Sequence, residues 1–147
     1  MDLQKSLYDW ICFISSVNSG PACPFAMKAW INKEVKLVED RTNVHNLIPL
    51  DENISICIVP HLGISYDQLS NLCENYNLEY NGYLFLNSHP EETLTLRGKK
   101  TVWEYPAILI QRKLELEEAR KTLSKIGFYK NWDLDFLDSL GISDVVE

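Results

Sequence analysis

Ile54-Ser55-Ile56-Cys57-Ile58-Val59-Pro60-His61-Leu62-Gly63 is the stretch on which the fold turns. Its first six residues are nearly all apolar and mostly β-branched, the pattern of a central strand buried on both faces. Pro60 to Gly63 then stops the strand. Ser65 or Asp67 caps a helix carrying Leu69, Leu72, Cys73 and Tyr76 on one face. Asn81-Gly82 is a turn, and Tyr83 to Leu86 returns as a strand. The crossover between the two strands has the length that parallel strands require. With that geometry His61 and His89 leave the sheet at the same carboxyl end, where ligands of α/β folds bind.

Toward the amino end, Lys36 to Glu39 reads as another strand. Pro24 opens a helix with Phe25, Ala29 and Trp30 on its buried side, because proline suits the first helical position. Leu3, Leu7, Trp10, Ile14 and Val17 recur at helical spacing, and Asn18-Ser19-Gly20-Pro21 ends that helix. Toward the carboxyl end a polar loop runs from Asn87 to Thr101, a length typical of functional or mobile loops. Ala107 to Gln111 follows as a strand entered through Tyr105-Pro106, a bond with access to the cis form. A helix then presents Leu116, Ala119, Leu123 and Ile126 on one face, closed by Gly127 at C′.

The expectation is one globular domain over 1–147. It is α/β (or α+β), a single-layer mixed sheet of about four strands packed against helices, ferredoxin-like or a related sandwich. The acidic tail, 133–147, docks as a short helix through Leu134, Phe136, Leu137 and Leu140.

The net charge of -7 argues against nucleic-acid binding, which needs basic surface to release counterions from phosphates. No apolar run reaches the ~18 residues of a membrane span, and the opening apolar stretch lacks the basic flank of a secretory signal. A cytosolic protein is expected, with neither membrane nor nucleic acid as partner. The sequence sets no oligomeric state.

Four cysteines, at 12, 23, 57 and 73, show no CxxC spacing, which speaks against a zinc ribbon or a dithiol redox pair. Cys12, Cys57 and Cys73 sit among apolar neighbours and read as core. Cys23, in Gly20-Pro21-Ala22-Cys23-Pro24-Phe25-Ala26, stands apart as a helix N-cap. There the amide hydrogens and the helix dipole favour a thiolate. A histidine beside it can take its proton, and His89, fixed by Pro90, is the candidate. The plainer reading makes Cys23 a structural elbow and both histidines hydrogen-bonded strand-end residues. Glu91, Glu92, Arg97, Lys99 and Lys100 read as solvated loop charges. No cofactor is called for, and no ligand spacing assigns a metal.

Trp10, Cys23-Pro24-Phe25-Ala26, Ile56 to Pro60, His89-Pro90 and Tyr105-Pro106 follow one another in an order that resembles an uncharacterised bacterial family. That family is marked by a Leu-Cys-Pro-Phe-Ala signature, a Phe-His-Pro segment and a Ser-Pro-Tyr-Pro segment. Here Ala22, Ser88 and Trp103-Glu104 stand in place of its leucine, phenylalanine and Arg-Ser pair. The resemblance spans about residues 8 to 112 and carries no known activity with it. It joins Cys23, His89 and Tyr105-Pro106 as parts of one site.

The expected function is therefore a single-thiol site acting on a small molecule by group transfer, hydrolysis or one-cysteine redox chemistry. Cys23 and His89 would be catalytic, with Pro24, Phe25, His61, Tyr105 and Pro106 around the substrate. The alternative is a non-enzymatic binding or adaptor protein whose partner is a small-molecule ligand or another protein.

Overall fold

Strict alternation along two central strands gives the sheet two apolar faces, and each face is covered differently. The computed structural model describes residues 2–15, 25–96, 98–130, 132–140 and 142. Its elements are α1 (Leu3–Ile14), α2 (Ala26–Ile31), β1 (Val35–Leu37), β2 (Ile56–Pro60), α3 (Tyr66–Glu79), β3 (Tyr83–Ser88), β4 (Ala107–Arg112), α4 (Lys113–Lys125) and α5 (Leu134–Ser139). The strands form one four-stranded mixed sheet in the order β1-β2-β4-β3. β1 and β2 are parallel, while β4 runs antiparallel to both of its neighbours. The fold is thus α+β, an open single-layer sheet packed against helices.

β2 and β3 are parallel, as the crossover requires, but they are not neighbours. β4 inserts between them and pairs with β2 from Ile56↔Gln111 to Pro60↔Ala107. The strand expected at Lys36 to Glu39 begins one residue earlier, at Val35, whose partner is Ile56.

On one face Cys57, Val59, Phe85, Ile108 and Ile110 meet Leu69 and Cys73 of α3, with Val44 and Leu50 completing a buried cluster. Of the two caps open to α3, Ser65 is the one used. Its hydroxyl accepts from the Gln68 N–H, and the Gln68 side chain accepts from the Ser65 N–H, a capping box.

The other face carries two cross-strand rows, Val35-Ile56-Gln111-Leu84 and Leu37-Ile58-Leu109-Leu86. α1 lies against it through Leu7 and Ile11. α4 approaches the β4–β3 half, where Gly127, with φ at 75°, turns the chain after the helix. Leu123, Tyr129, Trp132, Leu137 and Ile142 form a separate cluster with Leu96. In the tail, α5 packs through Phe136, Leu137 and Leu140, whereas Leu134, expected to dock with them, is 79% exposed; residues 141 and 143–147 of the tail lie outside the described ones.

Three expectations need correcting. Phe25 is not on the buried side of α2: it precedes the helix and is 44% exposed, because it borders an open cleft rather than a packed core. Cys12 is only half-buried on α1, whose innermost line is Leu7, Ile11 and Ile14. The cis bond falls at Ile48–Pro49, not at Tyr105–Pro106. Among the described residues no helix is long and apolar enough to cross a membrane.

β3 is an edge strand, and Asn77 of α3 closes it. The Asn77 amide donates to the Phe85 carbonyl at 2.9 Å and accepts from the Phe85 N–H at 2.8 Å, imitating a further strand. Asn77→Ala leaves both backbone groups without a partner on an open edge. It should lower stability by about 1–3 kcal/mol, read as a lower urea midpoint at unchanged m.

Candidate functional site

The carboxyl end of the sheet brings together several of the residues that the sequence singles out. The His61 N–H donates to the Pro106 carbonyl at 2.9 Å, tying the end of β2 to the entry of β4. Four residues past that end, Ile64 accepts a hydrogen bond from His89 Nε2 at 2.8 Å. The other ring nitrogen, Nδ1, accepts the Glu91 N–H at 3.1 Å. A carbonyl can only accept and an amide N–H only donate, so the ring is the neutral Nε2–H tautomer with both nitrogens in use. His89 is 4% exposed. Its ring offers no free nitrogen to a thiol.

His61 differs. Its Nε2 is buried with no hydrogen-bond partner among the described residues. Burial, then the nearby Arg41 charge, push its pKa below the ordinary imidazole value, with Asp40 opposing. Tyr105 packs edge-on against Trp103, and its phenol is pushed up by a hydrogen bond with Glu104. Cys23 and Pro24 lie outside the described residues. Of the other cysteines, burial pushes Cys57 up to about 11 and Cys73 up to about 12, so both are inert thiols at neutral pH. Among the described residues, no three His, Cys, Asp or Glu side chains gather as a metal site would need.

A further feature lies on the second face of the sheet. A cleft of about 420 Å³ separates α1 and α2 from α4 and α5, a size within the range of small-molecule sites. Ile56, Ile58, Leu86 and Leu109 form its floor. Trp10, Ile14 and Phe25 stand on one wall, and Leu116, Leu123, Phe128, Trp132 and Phe136 on the other. Among the described residues of the expected site, Phe25 borders this cleft. His61, His89, Tyr105 and Pro106 do not.

The charged groups bordering the cleft, among the described residues, are Glu92 and Arg120. Arg120 Nη1 donates to the Leu140 carbonyl at 2.7 Å, holding the end of α5 against α4. Glu92 is held from three sides. Its Oε1 accepts the N–H groups of Thr93 at 2.9 Å and Leu94 at 3.0 Å, and its Oε2 accepts the Tyr66 hydroxyl at 2.7 Å. Burial works against ionisation, but the donors Leu94, Tyr66 and Thr93, with the Lys100 charge, outweigh it and keep the carboxyl below its ordinary range. The hydrogen bond to Glu92, helped by burial, pushes the Tyr66 phenol up. His89 stacks edge-on against the Tyr66 ring, centroids 5.8 Å apart. His89 thus touches a residue of the cleft border, Tyr66, without bordering the cleft itself.

Comparisons with protein-family models, with curated proteins and with solved structures found no match to this chain. Function has to be read from the cleft itself.

Glu92 and Gln111 are the residues that sequence reasoning missed. Glu92 looks like one more solvated loop charge. The signal was Leu94 and Leu96 just after it, two leucines in alternation that carry the loop back toward the core. Gln111 is the one polar member of the cross-strand row Val35-Ile56-Gln111-Leu84. It marks the spot where that row faces a cleft.

His61 gives the fold an acid-sensitive point. Its folded pKa lies below its unfolded value, so stability is complete above about pH 6.5 and falls as pH drops, where only the unfolded chain takes up the proton. His61→Asn should lose less stability than the parent between pH 7.5 and 5.5 (about neutral to mildly acidic), measured by urea midpoints. Equal losses in the two proteins would remove His61 as the cause.

Proposed function

We propose that this protein binds a small, largely apolar molecule in the cleft between its two helical walls. The observation that carries the reading is the apolar sheet floor left uncovered between α1–α2 and α4–α5, with a volume of about 420 Å³. An open space lined by aliphatic and aromatic side chains gains free energy when an apolar body displaces its water. The occupant is a small-molecule ligand, with a protein partner as the competing possibility; nucleic acid and membrane have no part in the reading. The free thiols at Cys12, Cys57 and Cys73 support a reducing compartment, the cytosol.

An environment-sensitive dye such as anilinonaphthalene sulfonate tests this. Ala119 borders the cleft from α4, and Ala119→Trp puts an indole into that space. Dye affinity should fall at least about tenfold, the scale of losing one large apolar contact surface. Leu78→Ala, at an exposed position of α3, should leave it unchanged. Equal affinity in all three proteins would overturn the cleft as the site.

A second reading rests on one further observation: Phe25, which borders the cleft, follows Cys23 by two positions in the chain. In this reading Cys23 serves the bound molecule as nucleophile or redox thiol, in group transfer, hydrolysis or one-cysteine chemistry. The resemblance to the Leu-Cys-Pro-Phe-Ala family, which joins Cys23 to His89, favours it too. His89 then positions Tyr66 and does not act as the base, because its two nitrogens already hold Ile64 and Glu91. Iodoacetamide should alkylate Cys23 in the folded protein, and saturating dye should slow that labelling several-fold. Labelling at the same rate with and without dye would sink the thiol reading and leave the binding reading standing.

A further inference from the structure

The geometry points to an organic ammonium ion with an apolar body as the ligand class of this cleft, its charged head on Glu92. This deepens the binding reading above and rests on it. Four observations carry it.

Glu92 is the only carboxylate bordering the cleft among the described residues. It is also already aimed. Two backbone N–H groups take Oε1 and the Tyr66 hydroxyl takes one side of Oε2. A carboxylate has about four acceptor positions, so one remains on Oε2 for a donor from outside.

The second observation is that no cationic side chain of the described residues is paired with Glu92. No salt bridge reaches Glu92 among the described residues. Lys100, whose charge favours the ionised Glu92 from a distance, donates from its ammonium to the Pro90 carbonyl at 3.0 Å. A fixed, unpaired carboxylate beside apolar surface binds a cation more strongly than one in open water, since the medium screens it less.

Third, the cleft answers a cation in a second way. Tyr66 borders it next to Glu92, and four residues further along the same loop Leu96 enters the cluster of Tyr129 and Trp132. Aromatic faces attract an ammonium ion and also cover the apolar body attached to it.

The fourth observation concerns the opposite sign. Among the described residues the only cation at the cleft, Arg120, holds the Leu140 carbonyl, and the whole chain carries -7. That field favours approach of cations over anions.

The bland account makes Glu92 only a latch for its own loop. The two accounts differ in what a neutral carboxamide does. Glu92→Gln keeps an oxygen for Thr93 and Leu94 and an amide group toward Tyr66, so the latch survives while the charge is lost.

The probes are octylamine, octanol and octanoate at neutral pH, measured by displacement of the dye. In the parent protein octylamine should bind at least about tenfold tighter than octanol, the scale of one charge-assisted hydrogen bond, with octanoate weakest. Glu92→Gln should erase the preference without lowering dye affinity or the urea midpoint. Tyr66→Phe should reduce the preference in part, because the carboxylate loses one of its supports. Glu91→Gln, at the exposed neighbour, should leave it intact and so separate Glu92 from general charge.

Octanol binding as tightly as octylamine, or octanoate binding tighter, would overturn the inference while the binding reading stands. A parent protein that binds neither dye nor any probe would overturn both. A preference that persists in Glu92→Gln would remove Glu92 from the assignment.

Discussion

The burial of two side chains from one loop, Leu96 and Trp103, holds the rest of this structure in place. Trp103 is 1% exposed and is fixed at both ends. Its backbone N–H donates to Ser88 Oγ at 3.2 Å and its indole N–H donates to Ser6 Oγ at 2.9 Å. Trp10 stacks on it, and the Trp10 indole N–H reaches the Thr101 carbonyl at 2.7 Å. Those contacts pin α1 to the sheet. Leu96, fully buried, pins the carboxyl-terminal aromatic cluster. A cleft lies between α1 and α4 because one strap of chain anchors the two walls to different clusters, with uncovered sheet between them.

That strap also explains why the chemistry gathers where it does. Leaving β3, it passes His89, Glu92 and Leu94 before reaching Leu96. His89 joins it to Ile64 and stacks on Tyr66; Tyr66 in turn holds Glu92. Each group is set by its neighbour, from the end of β2 to the border of the cleft. The arrangement fixes one half-buried charge at the border of an apolar space, and three hydrogen bonds offset the cost of its partial desolvation.

Much of the fold was legible because it follows from period and punctuation. The apolar run at Ile54 to Val59, the Asn81-Gly82 turn and the leucines of α4 each obey one local rule. Four strands in a mixed sheet and helices in the stated order came from such rules. The insertion of β4 between β2 and β3 did not, because sheet order depends on which faces must be covered rather than on any one segment. Phe25 was misjudged for a related reason: helical periodicity tells which side a residue is on, not whether anything covers that side. The site was hidden more deeply. Glu92 has the composition of a solvated loop, and its aim comes from the backbone of Thr93 and Leu94 and from Tyr66, twenty-six residues earlier. The histidines were found at the right end of the sheet, but their tautomers and partners are tertiary facts.

The inserted strand sets the order in which the molecule can assemble. As the chain is synthesised, β2, α3 and β3 are complete well before β4, yet β2 and β3 share no ladder. Each pairs with β4 alone on that side. Until residue 112 is available, α3 can cover Phe85 and Asn77 can hold its backbone, but two strand edges stay open in the middle of the future sheet. The closing contacts are long in sequence: β4 with β2, and Trp103 with Ser6, 97 residues apart. Chains whose native contacts are this non-local pay loop-closure entropy first and fold slowly. Both inner edges of the sheet, one on β2 and one on β3, are thus closed by the strand that comes last in the chain.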